Sequence, residues 1–196
     1  MISQKALDLI IDAEGCDLSP AWPGGASGVT IGYGYDLGYN SPDQIRRDWG
    51  SLVNGNVLAF MLACSGLVGE MARRAISPST KVLRISQEAA EKVFSEKTLP
   101  RFNKLALDTY PGLEKLPEDT IGAITSLVFN RGSSFGKEGQ PSWDSRKEMR
   151  ELAPLIEAGD LQAIAAKILE MSRLWEGKGL DGLIKRRYNE ADLVYS

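Results

Sequence analysis

The sequence predicts an α+β protein, mostly α, with a small β-hairpin lobe and a larger helical lobe joined by a helix. Three observations predict it. Apolar residues recur at helical spacing over most of the 196 residues. One stretch breaks that pattern: between residues 17 and 40 stand Gly24, Gly25, Gly28, Gly32, Gly34 and Gly38 with Pro20 and Pro23, turn chemistry interleaved with short strands. A hydrophobic content of 43% beside 25% charged residues is enough to bury a core in a chain of this length. We expect one domain over 1–196, with residues 15–65 as the small lobe and 1–14 plus 66–196 as the helical lobe.

The elements follow in order. Ser3 caps a first helix that carries Ala6, Leu7, Ile10 and Ile11 on one side, and Gly15 is the natural residue just past its end. Ser41-Pro42 opens a short helix as N-cap and first helical residue. Residues 57–76 read as helix interrupted around Ser65-Gly66. Ser86 starts the longest helical run, with a kink expected at Pro100 and an end at Pro111-Gly112. A helix from about Pro117 to Asn130 carries Ile121, Ile124, Leu127 and Val128, a deeply buried pattern. Ser145-Arg146-Lys147-Glu148 reads as a capping box before the next helix, Asp160 caps another, and a last helix begins near Asp181.

Composition narrows the chemistry. With no histidine in the chain, Ser-His-Asp and Cys-His catalysis and imidazole as acid or base are excluded. Proton transfer near neutral pH then falls to carboxylates, with a lysine or a tyrosine as the alternative. Cys16 and Cys64 make neither a metal site nor a disulfide framework and are expected as free thiols; no metal and no cofactor is expected. A net charge of −3 gives no sign of a nucleic-acid partner, and Arg146, Lys147 and Arg150 read as a solvated helix face. No apolar run approaches the ~20 residues that span a bilayer, so no membrane insertion is expected. The apolar patch from Leu7 to Ile11 is broken by Asp8 and followed by Asp12, which is not a signal peptide; synthesis in the cytoplasm is the expectation.

Two acids flank the glycine-dense stretch. Glu14 falls in the last turn of the first helix, where the negative end of the macrodipole disfavours a charge by ~0.3–1 kcal/mol. That placement costs stability and suits a group that must carry a proton. Asp36 follows Thr30 by six residues. In a continuous strand these two would stand ~20 Å apart. If Gly32-Tyr33-Gly34 turns the chain back, Thr30 falls opposite Asp36 and Ile31 opposite Tyr35, with cross-strand neighbours ~5 Å apart on one face. Trp22, flanked by Pro23 and Gly24, together with Tyr33 and Tyr35, offers aromatic faces for stacking on a ligand, whereas Trp175 follows an apolar helix and reads as core.

These residues carry a resemblance. Glu14-Gly15, then Gly28-Val29-Thr30-Ile31-Gly32-Tyr33-Gly34, resembles the active-site region of phage-type lysozymes, the muramidases used as endolysins. The run from Ala123 to Gly132 resembles the buried helix of their larger lobe, ending in a Phe-Asn-x-Gly turn. Gly182-Leu183-Ile184-Lys185-Arg186-Arg187-Tyr188-Asn189-Glu190-Ala191 is similar to their C-terminal signature. There are departures. The acid that most members place nine residues after the glutamate and six before the threonine is absent, since those counts reach Pro23 and Gly24. The usual histidine is Tyr35. The Thr30-to-Asp36 arrangement instead resembles the pesticin-like muramidase domain of bacterial toxins. Asp17 is the competing acid.

The resemblance implies a lysozyme-like fold and a peptidoglycan hydrolase cleaving the β-1,4 bond between N-acetylmuramic acid and N-acetylglucosamine by inversion, which needs carboxyl groups ~6.5–9.5 Å apart. In that scheme Glu14 is the general acid, Asp36 the base and Thr30 the holder of its water. Arg186, with Arg187 in reserve, sits beside the glutamate as a supporting cation, and Asn130, with Arg131, lines the substrate wall. The implied partner is the glycan strand of the cell wall, reached through a holin or a secretion system and acted on in the periplasm or wall. A monomer is expected, and an immunity or inhibitor protein is a partner class in keeping with a toxin-like domain. The competing readings are a lytic transglycosylase, which needs no water-activating acid, and a non-catalytic wall-binding module.

Overall fold

The computed structural model describes residues 2–195. They divide into two compact units, Glu14–Pro100 on one hand and Met1–Ala13 with Arg101–Ser196 on the other. Helix α1 (Gln4–Glu14) opens the chain. Ser3 Oγ accepts the Ala6 N–H, the expected cap, and Gly15 at φ 65° ends the helix in the left-handed region a Cβ disfavours.

The Glu14–Pro100 unit is built on an antiparallel sheet of three strands in the order of the sequence, β1 (Asp17–Ala21), β2 (Thr30–Gly32) and β3 (Tyr35–Asp36). The turn Gly32-Tyr33-Gly34 reverses the chain as the glycines allow, with φ of 65° and 68° at its two ends. Thr30 pairs with Asp36 and Ile31 with Tyr35, the register expected from sequence. Helices α2 (Pro42–Trp49), α3 (Gly55–Ala63), α4 (Glu70–Ala75) and α5 (Gln87–Val93) follow. Ser41 Oγ and Ser86 Oγ cap α2 and α5 by accepting the Gln44 and Ala89 N–H groups.

Helix α5 packs on β2, and Ile85, Trp49 and Ala90 close around Gly32. Val29, Ile31, Leu37, Ile45, Trp49 and Met61 are fully buried here. Burial of this kind contributes ~1.5–3 kcal/mol per large side chain. Because these helices cover the sheet, the compact unit runs to Pro100 and not to residue 65. After α5 the residues Phe94–Thr98 widen into a π turn before α6 (Leu99–Thr109). The disturbance expected at Pro100 thus falls one turn earlier, since a proline at 100 cannot donate to the Glu96 carbonyl and its ring crowds that group.

Among its described residues the second unit has helices joined by turns and loops, and no strand. Helix α7 (Glu118–Arg131) buries nine consecutive residues, Thr120 to Val128, and is its central element. Around it stand α8 (Ser142–Ser145), α9 (Lys147–Ala158), α10 (Leu161–Glu170) and α11 (Asp181–Val194). Asp160 Oδ1 caps α10 by accepting the Ala163 N–H. The core includes Ala6, Leu113, Ile124, Leu127, Leu152, Ile164 and Ile168. Ala6 of α1 lies so close to Gly122 that a Cβ added there would fall 2.1 Å from the alanine methyl.

Two expectations fail in this unit. The capping box does not form: Ser145 belongs to α8, its hydroxyl donates back to the Ser142 carbonyl, and Glu148 is 2% exposed with Arg173 Nε donating to its Oε1 at 2.5 Å. A buried carboxylate with a guanidinium partner is held more firmly than one reaching for a helix N-terminus. The arginines expected on a solvated face also turn inward. Arg146 donates to the Arg131 carbonyl, and Arg150 donates to the Phe135 and Trp143 carbonyls while its guanidinium lies 3.3 Å from the centre of the Trp143 ring.

Candidate functional site

The glycine-dense segment of the Glu14–Pro100 unit places its polar groups through backbone register. Glu14 is the last residue of α1 and half-buried. Three residues later β1 begins, pairing Asp17 with Gly32 and Ala21 with Thr30. Thr30 therefore has Ala21 on one side and Asp36 on the other. Its hydroxyl donates to the Ala21 carbonyl at 3.4 Å. Asp17 is exposed at the far end of β1, across from Gly32. The register thus sets Asp36, and not Asp17, across from the threonine.

The Asp36 carboxylate is half-buried and each of its oxygens accepts a backbone N–H: Oδ2 from Gly28 and Oδ1 from Gly38, both at 2.9 Å. The Gly38 bond is an Asx turn, legible in retrospect from Asp-Leu-Gly. The Gly28 bond joins segments eight residues apart, and no local pattern announces it. Both glycines are needed for close approach. A Cβ on Gly28 would fall 2.1 Å from Asp36 Oδ1, and one on Gly38 2.4 Å from the Leu67 carbonyl oxygen. Bonds from Gly66 N–H to the Gly38 carbonyl and from Gly69 N–H to the Ser27 carbonyl fasten the same segment to the start of α4. Each carboxylate oxygen has two acceptor positions, so one remains on each for a further donor.

The tyrosines expected to stack on a ligand are core residues. Tyr33 is 4% exposed; its ring packs on Phe94 at 5.2 Å between centroids and its hydroxyl oxygen accepts from Gln87. Tyr35 is 3% exposed, meets Trp49 edge to face at 5.5 Å, and donates its hydroxyl to buried Asp48 at 2.8 Å. A three-residue strand gives no alternation long enough to say which side is covered, and α2 and α5 cover the side these rings occupy. Trp22 is half-buried, with its indole N–H donated to the Ser27 carbonyl at 3.1 Å. The aromatic that sequence reasoning missed is Tyr39: it is 67% exposed, and its hydroxyl donates to the Ala26 carbonyl at 2.9 Å.

The other expected site residues belong to the helical unit. Asn130 is half-buried in the last turn of α7. Arg131 donates to the Ser145 carbonyl and lies over the Trp175 ring at 5.0 Å; burial, and then Arg146 nearby, push its guanidinium down to about 10. Trp175 packs against the hydrophobic core, as expected. Arg186 and Arg187 are buried with Glu190 in one polar knot. Glu190 Oε1 accepts from Ser126 Oγ at 2.6 Å, Arg187 Nη2 at 2.8 Å and Arg186 Nε at 3.2 Å, while Arg186 Nη2 donates to the Ser126 carbonyl at 3.1 Å. The knot ties α7 to α11, so two of the three sequence signatures meet in a folding device.

Cys16 and Cys64 are free thiols, and burial raises Cys64 to about 11. Among the described residues no cluster of three or more histidine, cysteine, aspartate or glutamate side chains could hold a metal ion, and no helix is long and apolar enough to cross a membrane.

Comparison with known proteins bears on the fold. A family model described as a domain of unknown function, DUF8812, matches residues 17–104, nearly the whole sheet-bearing unit but not Glu14. No curated protein sequence matches the chain. Among solved structures, the muramidase domain of SpmX from Asticaccaulis excentricus is 17% identical with a TM-score of 0.56, the match covering 100% of this chain and 98% of that one. The active form of the P1 phage endolysin Lyz is 18% identical with a TM-score of 0.55, over 98% of this chain and 84% of that one. A point mutant of P22 lysozyme is 21% identical with a TM-score of 0.56, over 100% and 99%. The fold is that of the phage-type lysozymes.

Proposed function

We propose that this chain, built on the phage-type lysozyme fold, is a peptidoglycan hydrolase that cleaves the β-1,4 bond between N-acetylmuramic acid and N-acetylglucosamine. The observation that carries the reading is the register that sets Thr30 across from Asp36 within the same unit that begins at Glu14. Glu14 protonates the leaving glycosidic oxygen. Asp36 takes a proton from water attacking the opposite face of the sugar, and Thr30 orients that water, so the configuration at the anomeric carbon inverts. The two backbone N–H groups on Asp36 fix its plane and leave one acceptor position on each oxygen for the water. Trp22, beside this pair in the same unit, contacts the glycan strand.

The same occupied carboxylate favours one second reading. If Asp36 serves only to hold Gly28 and Gly38, its remaining acceptor positions unused in catalysis, the acid acts alone, which is the minimum for a lytic transglycosylase. Mass spectrometry of the fragments released from purified sacculi separates the two. Reducing muramic acid ends support hydrolysis, 1,6-anhydro ends support the transglycosylase, and no soluble fragment leaves only a wall-binding module. Glu14→Gln should clear sacculi ~10²–10⁴-fold more slowly while remaining folded. Wild-type clearing by this variant removes Glu14 from the mechanism.

A further inference from the structure

The loop between β1 and β2 is held from two sides by aromatic residues. Trp22 donates its indole N–H to the Ser27 carbonyl, and Tyr39 donates its hydroxyl to the carbonyl of the adjacent residue, Ala26. Tyr39 is 67% exposed, the largest value among the aromatic side chains identified as exposed. A tyrosine at the surface ordinarily leaves its hydroxyl to water and its ring to rotate. Here the hydroxyl is tied down, so the ring is anchored at its polar edge while most of the residue stays open to solvent.

The position of this ring in the chain matters as much as its exposure. Tyr39 follows Gly38, whose N–H binds Asp36 Oδ1, and precedes Asn40, whose amide donates to the Asp36 carbonyl at 2.7 Å. Gly38 in turn approaches Gly28 so closely that a Cβ on Gly28 would fall 2.6 Å from Gly38 N. The backbone that carries Tyr39 is therefore the backbone that Asp36 holds in place. A ring set on so rigid a support gives up little conformational freedom when a ligand settles on it. A flat, open aromatic face with a fixed polar edge suits the C–H-bearing face of a pyranose ring, with the hydroxyl and amide groups of the sugar left to water.

We propose that Tyr39 is a sugar-binding platform, specific for the N-acetylated hexopyranose units of a β-1,4-linked glycan, and that it takes the stacking role from which Tyr33 and Tyr35 are barred by burial. The inference rests on the peptidoglycan reading for its substrate and deepens it. Tyr39 contributes to substrate binding and takes no part in proton transfer.

The test uses the full chain, purified sacculi and the soluble hexamer of N-acetylglucosamine. Tyr39→Ala should raise the half-saturating sacculus concentration about tenfold with kcat within about twofold, and Tyr39→Phe, which keeps the ring and loses the tie to Ala26, about threefold. Melting temperatures of both should fall by no more than a few degrees, since each variant loses one exposed hydrogen bond and the ring lies outside the core. Unchanged half-saturation in Tyr39→Ala, or a loss confined to kcat, overturns the proposal while the hydrolase reading stands. If the parent cleaves neither substrate, hydrolysis is refuted and direct titration of the hexamer decides. Binding by the parent that Tyr39→Ala weakens about tenfold supports the platform, and absence of binding overturns it.

Discussion

Asp36 Oδ2 accepts the Gly28 N–H at 2.9 Å, tying the last residue of β3 to the segment that leads into β2. An acid in this position has two tasks, and the usual amide substitution disturbs both. In Asp36→Asn one of the two oxygens becomes an NH₂ group that faces a backbone N–H. We expect a loss of ~1–3 kcal/mol in unfolding free energy together with loss of activity. Gly28→Ala keeps the charge and pushes a methyl toward the carboxylate, so it should destabilise by ~1–3 kcal/mol as an overpacking change. Urea denaturation read beside sacculus clearing checks both. Asp17→Asn, at an exposed position across from Gly32, should retain clearing; loss of clearing there would move the base to Asp17.

Tyr35→Phe should leave sacculus clearing intact and lower stability by ~1–3 kcal/mol, because it removes a donor from the buried Asp48 carboxylate. The two measurements taken together separate a core tyrosine from a ligand-facing one. A clearing defect with unchanged stability would return Tyr35 to the substrate side.

Glu190 accepts from three donors in the interior, and Glu190→Ala strands the buried guanidinium groups of Arg186 and Arg187 without that carboxylate. The expected cost is ~3–5 kcal/mol. Ser126→Ala removes one donor and should cost less, ~1–3 kcal/mol. Thermal unfolding of both variants gives the order, and an inverted order would show that the serine, not the glutamate, organises the knot.

Burial raises the Cys64 thiol from 9.0 in the unfolded chain to about 11 in the folded protein. The folded state therefore keeps a proton that the unfolded state loses, and its stabilisation is complete below pH 9 and is lost as pH rises toward about 11. Tyr110, also raised by burial, acts in the same direction at still higher pH. Urea denaturation at pH 8 and pH 10.5 should show a fall in stability that is smaller in Cys64→Ala. At pH 8 the thiol should resist alkylation until the protein unfolds.

Much of the fold was legible because its signals are local. Ser3, Ser41, Ser86 and Asp160 cap the helices expected of them, and the Gly32-Tyr33-Gly34 turn sets the Thr30–Asp36 register. What escaped depends on long-range packing. Tyr33 and Tyr35 are buried by helices that come after them in the chain, and Glu148 leaves its helix end for Arg173, twenty-five residues away. The Gly28–Asp36 bond and the Tyr39–Ala26 bond needed the folded loop to be seen. Of the candidate site, the pairing of Thr30 with Asp36 was readable from spacing, while the burial of Tyr33 and Tyr35 was not.

The helical unit is discontinuous in sequence, and this has a consequence for synthesis. The segment from Glu14 to Pro100 is one uninterrupted stretch and can close as soon as it leaves the ribosome. Helix α1 is translated earlier, yet Gly122, the residue against which Ala6 fits, is made more than a hundred residues later. Helix α1 must therefore wait, its apolar side uncovered, while the segment that follows it folds. A chaperone that shields short amphipathic segments would find its target in α1 during that interval.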